Sequence, residues 1–111
     1  MQRWDLLTLD APDGVRTPTV LHSADDSRAV LIALDPGQSL GDHQVKENAW
    51  IVVVDGEVVV EADGRAEPVG RGTLVRFEPD ERHSVRSDDG ARLLLVLAPW
   101  PGDGHYRGDA V

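Results

Sequence analysis

Histidine is the residue type in this chain that is best suited to chemistry, because the sequence holds four histidines and no cysteine. Disulfides, thiolate metal sites and thiol nucleophiles are therefore excluded, and any metal site must combine imidazole with carboxylate groups. His43 and His83 each lie at the edge of a strand-like segment, whereas His22 precedes an acidic turn and His105 lies in a glycine-rich tail. His43 and His83 are the candidate site residues.

A pair of imidazoles supports several kinds of chemistry. Imidazole ligates divalent metals, donates on one ring nitrogen while accepting on the other, and changes its charge near neutral pH. The structural alternative is an inherited pair that packs or hydrogen-bonds inside the protein, which requires partners for all of the ring nitrogens. The residue type alone leaves both interpretations open.

Short apolar segments at strand-like spacing make up most of the chain and must position these histidines. Several are rich in Val and Ile, whose branched side chains fit a pleated sheet. Apolar residues at helical spacing are interrupted by Pro or Gly throughout, which argues against long helices. The pattern predicts an all-β sandwich or barrel. The segments are 4–9, 19–22, 29–34, 50–54, 57–62, 73–77 and 92–97.

Asp-Gly pairs predict two β-hairpins. Asp-Gly tolerates positive φ at both central positions of a tight turn, and such turns match the twist of the flanking strands. The first predicted hairpin turns at Asp55-Gly56 between two valine-rich segments, and the second turns at Asp63-Gly64.

Length and charge limit the classes of protein to consider. The 111 residues fit one domain, and the net charge of −9 repels phosphate backbones, so no nucleic-acid partner is expected. The apolar runs are far shorter than the ~20 residues that cross a bilayer, and no secretion signal is visible, so no membrane partner is expected. We expect a soluble protein of the cytoplasm.

The spacing around His43 resembles the first motif of the cupin family, which is Gly, five residues, His-x-His, three or four residues, Glu, six residues and Gly. Gly37, His43 and Gly56 match that frame. Val45 stands at the second histidine position, and Ala49 stands at the glutamate position. The match is therefore partial at the positions that carry chemistry.

The spacing around His83 resembles the second cupin motif, which is Gly, five residues, Pro-x-Gly, two residues, His, three residues and Asn. Gly72 and His83 match in register. Glu78 replaces the proline, Asp80 the glycine and Ser87 the asparagine. Aspartate tolerates the left-handed conformation that glycine supplies, so the Asp80 replacement is compatible with the same turn.

The resemblance implies an all-β fold, an antiparallel jelly-roll barrel, and pairing into homodimers. We expect one cupin domain over residues 1–97, with the motifs at 37–56 and 72–87. Residues 98–111, rich in Pro and Gly, are expected to form a non-strand tail.

The family resemblance also implies a metal site, which this sequence retains only in part. In metal-binding cupins both histidines and the glutamate of the first motif, with the histidine of the second, hold one divalent ion. His43 and His83 alone remain of that set, and Glu47 is the candidate substitute ligand. Two imidazoles with one carboxylate resemble the open arrangement of non-haem iron enzymes. If the protein holds a metal, the expected cofactor is a divalent ion such as Zn, Fe, Mn or Ni. The alternative is that it has no cofactor.

Glu47 has two possible orientations. A straight strand would place residues 43, 45 and 47 on one face. A turn at this point, as the family has, would direct Glu47 outward.

An apolar pocket is the alternative to a metal site. Val45, Ala49, Ile51 and Val53 share the inward phase of one predicted strand, so they would form an apolar wall beside His43 and His83. Such a pocket suits an apolar small molecule carrying one or two polar groups.

Several functions follow from these alternatives. The first is a small cupin that binds a small molecule in the barrel with little or no metal site. The second is a metal-dependent oxygenase, isomerase or lyase that uses His43, His83 and a substitute ligand. Metal-free acid–base chemistry by the two histidines, and a sensor domain acting through a protein partner, also remain open. Whether the chain is catalytic is left undecided.

Trp50 has the opposite phase to Ile51 and Val53, so it should leave the barrel interior. An outward Trp beside Val52 and Val54 predicts a second buried face, which we interpret as a dimer contact.

Overall fold

The part of the chain that the structure describes forms eight antiparallel strands, in agreement with the predicted all-β class. The computed structural model describes residues 1–11 and 18–101, and for residues 42 and 43 it describes the backbone alone. Within this part of the chain no helix is long and apolar enough to cross a membrane. The strands are β1 (Thr19–Ser23), β2 (Arg28–Leu34), β3 (Ser39–His43), β4 (Asn48–Ala62), β5 (Arg65–Gly70), β6 (Leu74–Phe77), β7 (His83–Arg86) and β8 (Ala91–Ala98).

The strands form two sheets that share β4. The first sheet has the order β1-β2-β8-β4-β6, and the second has the order β3-β7-β4-β5. Buried side chains of both sheets form one hydrophobic cluster, which includes Ile32, Ile51, Val60, Val85 and Leu93. The curled antiparallel arrangement confirms the predicted barrel.

The first predicted hairpin is wrong, because β4 runs through Asp55-Gly56 without reversing. The register slips by one residue between Val53 and Asp55, which marks a β-bulge, and Gly56 has φ +82°. A β-carbon at Gly56 would lie 2.9 Å from Ala91 Cα. This Asp-Gly pair therefore bends the strand from one sheet into the other, as glycine bulges do.

The second predicted hairpin is confirmed. Asp63 and Gly64 have φ of 53° and 73°, and Ala62 is paired directly with Arg65. Positive φ at both central residues is the geometry that suits a two-residue hairpin.

The first predicted strand, over residues 4–9, is replaced by a turn. Asp5 Oδ1 accepts from the Leu7 amide at 3.0 Å, and the Leu9 amide donates to the Asp5 carbonyl at 2.8 Å. The Arg92 guanidinium donates to the carbonyls of Leu6 and Leu9 at 2.8 and 2.7 Å. An aspartate that caps nearby amides offers the backbone an alternative to the sheet.

The start of the C-terminal tail packs on the barrel. Trp100 contacts the hydrophobic cluster, and the Arg28 guanidinium lies 4.9 Å from the centre of its ring. Residues 102–111, with His105, lie outside the described residues, so the role of the tail stays a prediction.

Candidate functional site

His83 is buried at the start of β7, with 3% of its surface exposed. Its ring stacks on Phe77, with the ring centres 3.8 Å apart and the planes 3° from parallel. His83 Nδ1 lies 2.9 Å from the Glu81 carbonyl oxygen. A carbonyl can only accept, so Nδ1 carries the proton and a neutral ring has its lone pair on Nε2. That tautomer suits a ligand contact or a metal bond through Nε2.

His43 ends β3, the strand next to β7. Its Cα is the register partner of the His83 Cα, after a register shift that follows Leu40. Directly opposite residues on antiparallel strands have Cβ atoms within about 5.5 Å of each other. The fold therefore brings the two predicted histidines to the same level of the second sheet.

Glu47 lies in the short loop between β3 and β4, so residues 43–47 do not continue one straight strand. Glu47 is nonetheless buried, with 1% of its surface exposed. It precedes the inward-facing Ala49 by two residues and shares its phase. The outward orientation that a turn would give Glu47 is therefore not observed. Val45, in the same loop, packs against the hydrophobic cluster.

An ion pair joins the loop that holds Glu47 to the turn that precedes His83. Lys46 Nζ lies 2.8 Å from Asp80 Oδ1, and the Asp80 amide donates to the Val45 carbonyl at 2.7 Å. The hydrogen bond and the negative charge of Asp80 raise the pKa of Lys46 above its usual 10.5. Asp80 has φ 66°, so it adopts the left-handed conformation expected for it at the glycine position.

Ala49, Ile51 and Val53 face the interior, with exposed fractions of 1%, 2% and 0%. They belong to the main hydrophobic cluster. Their role as the wall of a ligand pocket remains a prediction.

A cavity of about 320 Å³ lies between β5 and β6. These strands pair with different halves of β4, on either side of its bend, and residues 71–73 join them. The two strands therefore diverge from this connection, which leaves an opening between their edges. The lining residues are Val60, Ala62, Asp63, Arg65, Glu67, Val69, Val75, Arg76, Phe77 and Glu81.

The cavity is apolar at its narrow end and charged at its wide end. Val69 and Val75 lie next to the connection, whereas Asp63, Arg65 and Glu81 lie at the open end. The volume lies at the lower end of the range for small-molecule sites.

His83 lies directly behind the wall of this cavity. It stacks on Phe77, hydrogen-bonds the Glu81 carbonyl and is the register partner of Ala62, and these three residues line the cavity. The His83 side chain thus fixes the wall at the wide end.

A second, more open depression of about 530 Å³ adjoins the first at Asp63. Ser39, Glu61, Arg82 and His83 are among its lining residues. His83 thus lines the second depression directly, whereas Phe77, Ala62 and Glu81 separate it from the first cavity.

Sequence reasoning missed Phe77, Glu81 and the inward face of β5. Glu67 is the register partner of the buried Val60, so it faces the same side as that core residue. The two-residue turn at Asp63-Gly64 fixes the register of β5 against β4. That turn is the sequence signal from which the orientation of Glu67 could have been predicted. Charged residues on an edge strand would otherwise be assigned to the outer surface.

The described residues do not provide the complete metal site of the family. Val45 and Ala49 occupy two of its ligand positions and have no donor atoms in their side chains. Among the side chains that the structure describes, which leave out His43, no three His, Asp or Glu groups lie together as metal ligands would. Of the four positions that the motif spacing predicts as ligands, 43, 45, 49 and 83, only the two histidines have side-chain donor atoms.

The family model described as Cupin domain matches residues 30–97. That range is more than half of the chain and includes both motifs. The chain belongs to the cupin family.

Solved structures share the same fold. A RmlC-like cupin from Desulfovibrio desulfuricans superposes with a TM-score of 0.79 at 24% identity, over 89% of this chain and 97% of that one. The protein TT1209 from Thermus thermophilus gives 0.77 at 27% identity, over 89% and 98%. A Cupin 2 conserved barrel domain protein from Salinispora arenicola gives 0.69 at 20% identity, over 88% and 87%. No curated protein matches the chain.

Proposed function

We propose that this cupin binds a small molecule in the cavity between β5 and β6, with little or no metal site of the usual cupin kind. The observation that carries the proposal is the cavity itself, about 320 Å³ in volume. Five of its lining residues are apolar and five are charged, so it offers an apolar wall together with polar groups that can orient a ligand. His83 supports the wall of the cavity through Phe77 and Glu81.

A fragment screen with a cavity-filling variant tests this proposal. Fragments that combine an apolar body with one polar group are screened against the protein by NMR. Binding is expected to shift the methyl signals of Val60, Val69 and Val75. Val69→Phe fills the cavity and should abolish binding. Val59→Phe is the matched control, because Val59 alternates with the buried Val58 and Val60 and faces the other side of β4. Fragments that bind both variants equally, or no binding at all, would contradict the proposal.

A metal-dependent enzyme of the oxygenase, isomerase or lyase type is the second candidate. The burial of Glu47 favours it, because a carboxylate with 1% exposure near two opposed strand ends carrying histidines can supply a third ligand. His43, His83 and Glu47 would hold the ion, and the Nδ1–H tautomer of His83 leaves Nε2 as the donor atom.

Elemental analysis of purified protein separates the two candidates. The metal hypothesis expects a stoichiometric divalent ion that the His43→Ala/His83→Ala double variant and Glu47→Gln both lose. His22→Ala is the control, because His22 lies on β1 beside Asp26. Metal content that is unchanged by the double variant would reject the metal hypothesis.

We also propose that a second copy of the chain covers the outer face of the first sheet. Register pairing aligns Leu94, Val52 and Leu74 in one row across β8, β4 and β6, and Trp50 with Val96 in the next. Leu74 is 59% exposed. An apolar patch that extends across several strands is typical of an interface. The location of the protein in the cytoplasm stays a prediction from composition.

A further inference from the structure

The lining of the cavity carries more negative than positive charge. Asp63, Glu67 and Glu81 are its carboxylates, and Arg65 and Arg76 are its guanidinium groups. Asp63, Arg65, Glu67 and Arg76 are exposed and Glu81 is half-buried, so each charge acts on a bound ligand through solvent and with a modest effect. The question is which of these charges already have partners of opposite sign.

Both arginines of the wall are held by acidic neighbours. Arg76 Nη1 donates to Glu78 Oε1 at 2.9 Å, and its Nη2 donates to Asn48 Oδ1 at 2.6 Å. Arg65 Nη2 lies 3.8 Å from Glu67 Oε1. The Arg76 guanidinium is therefore engaged by two partners, and the charge of Arg65 is offset by the neighbouring charge of Glu67.

Asp63 and Glu81 carry the excess negative charge. Glu81 Oε1 accepts the Glu78 amide at 2.9 Å, which is a neutral donor and leaves the charge of the carboxylate in place. Asp63 lies in the β4–β5 turn, which the left-handed conformation of both turn residues holds in one geometry. These two carboxylates lie at the wide end of the cavity, which is taken as its entrance.

The rest of the molecule favours the same sign of ligand. The net charge of the chain is −9, which raises the local concentration of cations at its surface and accelerates their association.

We infer that the ligand is a small amphiphilic cation. Its apolar body lies against Val69 and Val75, and its ammonium or similar nitrogen lies at the entrance, beside Asp63 and Glu81. This inference rests on the proposed function, since it specifies the chemical class of the ligand that the cavity accepts.

Three probes of equal skeleton test the sign of the charge. Benzylammonium, benzyl alcohol and benzoate are titrated into the full chain at low ionic strength, with binding followed by the NMR signals of the cavity valines. Benzylammonium is expected to bind about fivefold more tightly than the alcohol, as weak ion pairs at a partly exposed site predict, and benzoate most weakly. Added salt should reduce the difference between the probes.

Two double variants locate the effect. Asp63→Asn/Glu81→Gln removes two charges at the entrance while Asn keeps the left-handed turn accessible, and it should reduce the preference for benzylammonium to less than about twofold. Asp55→Asn/Glu57→Gln removes the same charge at the bend of β4, outside the cavity wall, and should keep the preference.

The possible failures are distinguishable. Binding of benzoate as tight as that of benzylammonium would overturn the inference and leave the proposed function intact. The inference would also be overturned, with the proposed function intact, if Asp63→Asn/Glu81→Gln kept the full preference for benzylammonium. Failure of all three probes to bind would overturn both the proposed function and this inference.

Discussion

The contacts of the His83 ring with the Phe77 ring and with the Glu81 carbonyl make contributions that can be measured separately. Replacing His83 by Ala removes buried volume and the stack, so the free energy of unfolding should fall by about 2–4 kcal/mol. His83→Phe keeps a ring against Phe77 but loses the Nδ1 donor, so a loss of about 1 kcal/mol is expected. Urea denaturation followed by circular dichroism measures both.

The control for His83 is another histidine at the surface. His22→Ala should change the free energy of unfolding by less than about 0.5 kcal/mol, because the His22 side chain is 40% exposed and lies 3.9 Å from Asp26. Equal effects of His83→Ala and His22→Ala would show that the stack contributes nothing measurable.

Lys46 gives a pH dependence of known sign, and it is the only lysine in the sequence. Asp80 raises the pKa of Lys46 in the folded state above the usual 10.5. The ion pair therefore contributes stability at pH values below 10.5, and that contribution is lost as the pH rises through the folded-state pKa. The difference in unfolding free energy between the wild type and Lys46→Gln should be constant near neutral pH and shrink above pH 10.5. A difference that does not depend on pH would contradict this assignment.

Two glycines with positive φ separate backbone strain from close packing at the scale of the strand. Gly56 has φ +82° and Gly64 has φ +73°. A β-carbon at Gly64 meets open space, whereas at Gly56 it would lie 2.9 Å from Ala91 Cα. Gly64→Ala should therefore cost about 1–2 kcal/mol, the price of the left-handed conformation alone. Gly56→Ala should cost at least about 2 kcal/mol more, because β4 and β8 must also separate.

Thermal and urea unfolding of these two glycine variants provide the measurement. If Gly56→Ala costs no more than Gly64→Ala, the close approach of β4 to the start of β8 does not constrain the bend.

Gly56 and Gly64 also show how much of the fold can be predicted from the sequence. Both are preceded by Asp and flanked by strand residues, so local propensity assigns a hairpin to each. At Asp63-Gly64 the chain reverses, because β5 pairs back on β4. At Asp55-Gly56 the strand continues, because β8 and β7 are paired on either side of the bend. The strands that pair with β4 decide between a hairpin and a continuous strand. Because those strands are distant in the sequence, no local pattern reveals them.

The candidate site, like the fold, could be predicted from the sequence only in part. The motif spacing placed His43 and His83, and the fold aligns their Cα atoms across β3 and β7. The cavity could not be predicted by that route, because it depends on the divergence of β5 and β6 at the bend of β4. The burial of Glu47 depends on a loop whose path is fixed by contacts with Asp80.

At the scale of the whole molecule, charge and apolar surface occupy different places. Acidic residues are common in the turns and at the cavity entrance, whereas the outer face of the first sheet presents Trp50, Val52, Leu94 and Val96. Arg76 lies over the Trp50 ring at 5.8 Å, and its charge is offset by Glu78, whose Oε1 accepts from Arg76 Nη1 at 2.9 Å. Such a face can meet its own copy without bringing like charges into contact with each other.

The expected assembly is a dimer with twice the 12.1 kDa mass of the chain. Leu74→Asp places a charge on the outer face of the first sheet, at a residue that is 59% exposed. The monomer should therefore fold normally, while dimer dissociation should increase by more than about tenfold, since burying an unpaired carboxylate is costly. Sedimentation velocity over a range of concentrations measures this shift.

Val20→Asp is the matched control for the dimer. Val20 is 46% exposed, and its register partner is the core residue Val30, so it faces the opposite side of the same sheet from Leu74. Its substitution should leave the dimer intact.

A wild-type protein that is monomeric at every concentration, or equal dissociation of both variants, would assign the apolar face a role other than self-association. Because Leu74 is not among the residues that line the cavity, ligand binding should be unchanged in Leu74→Asp. Loss of ligand binding in that variant would instead show that the dimer completes the site.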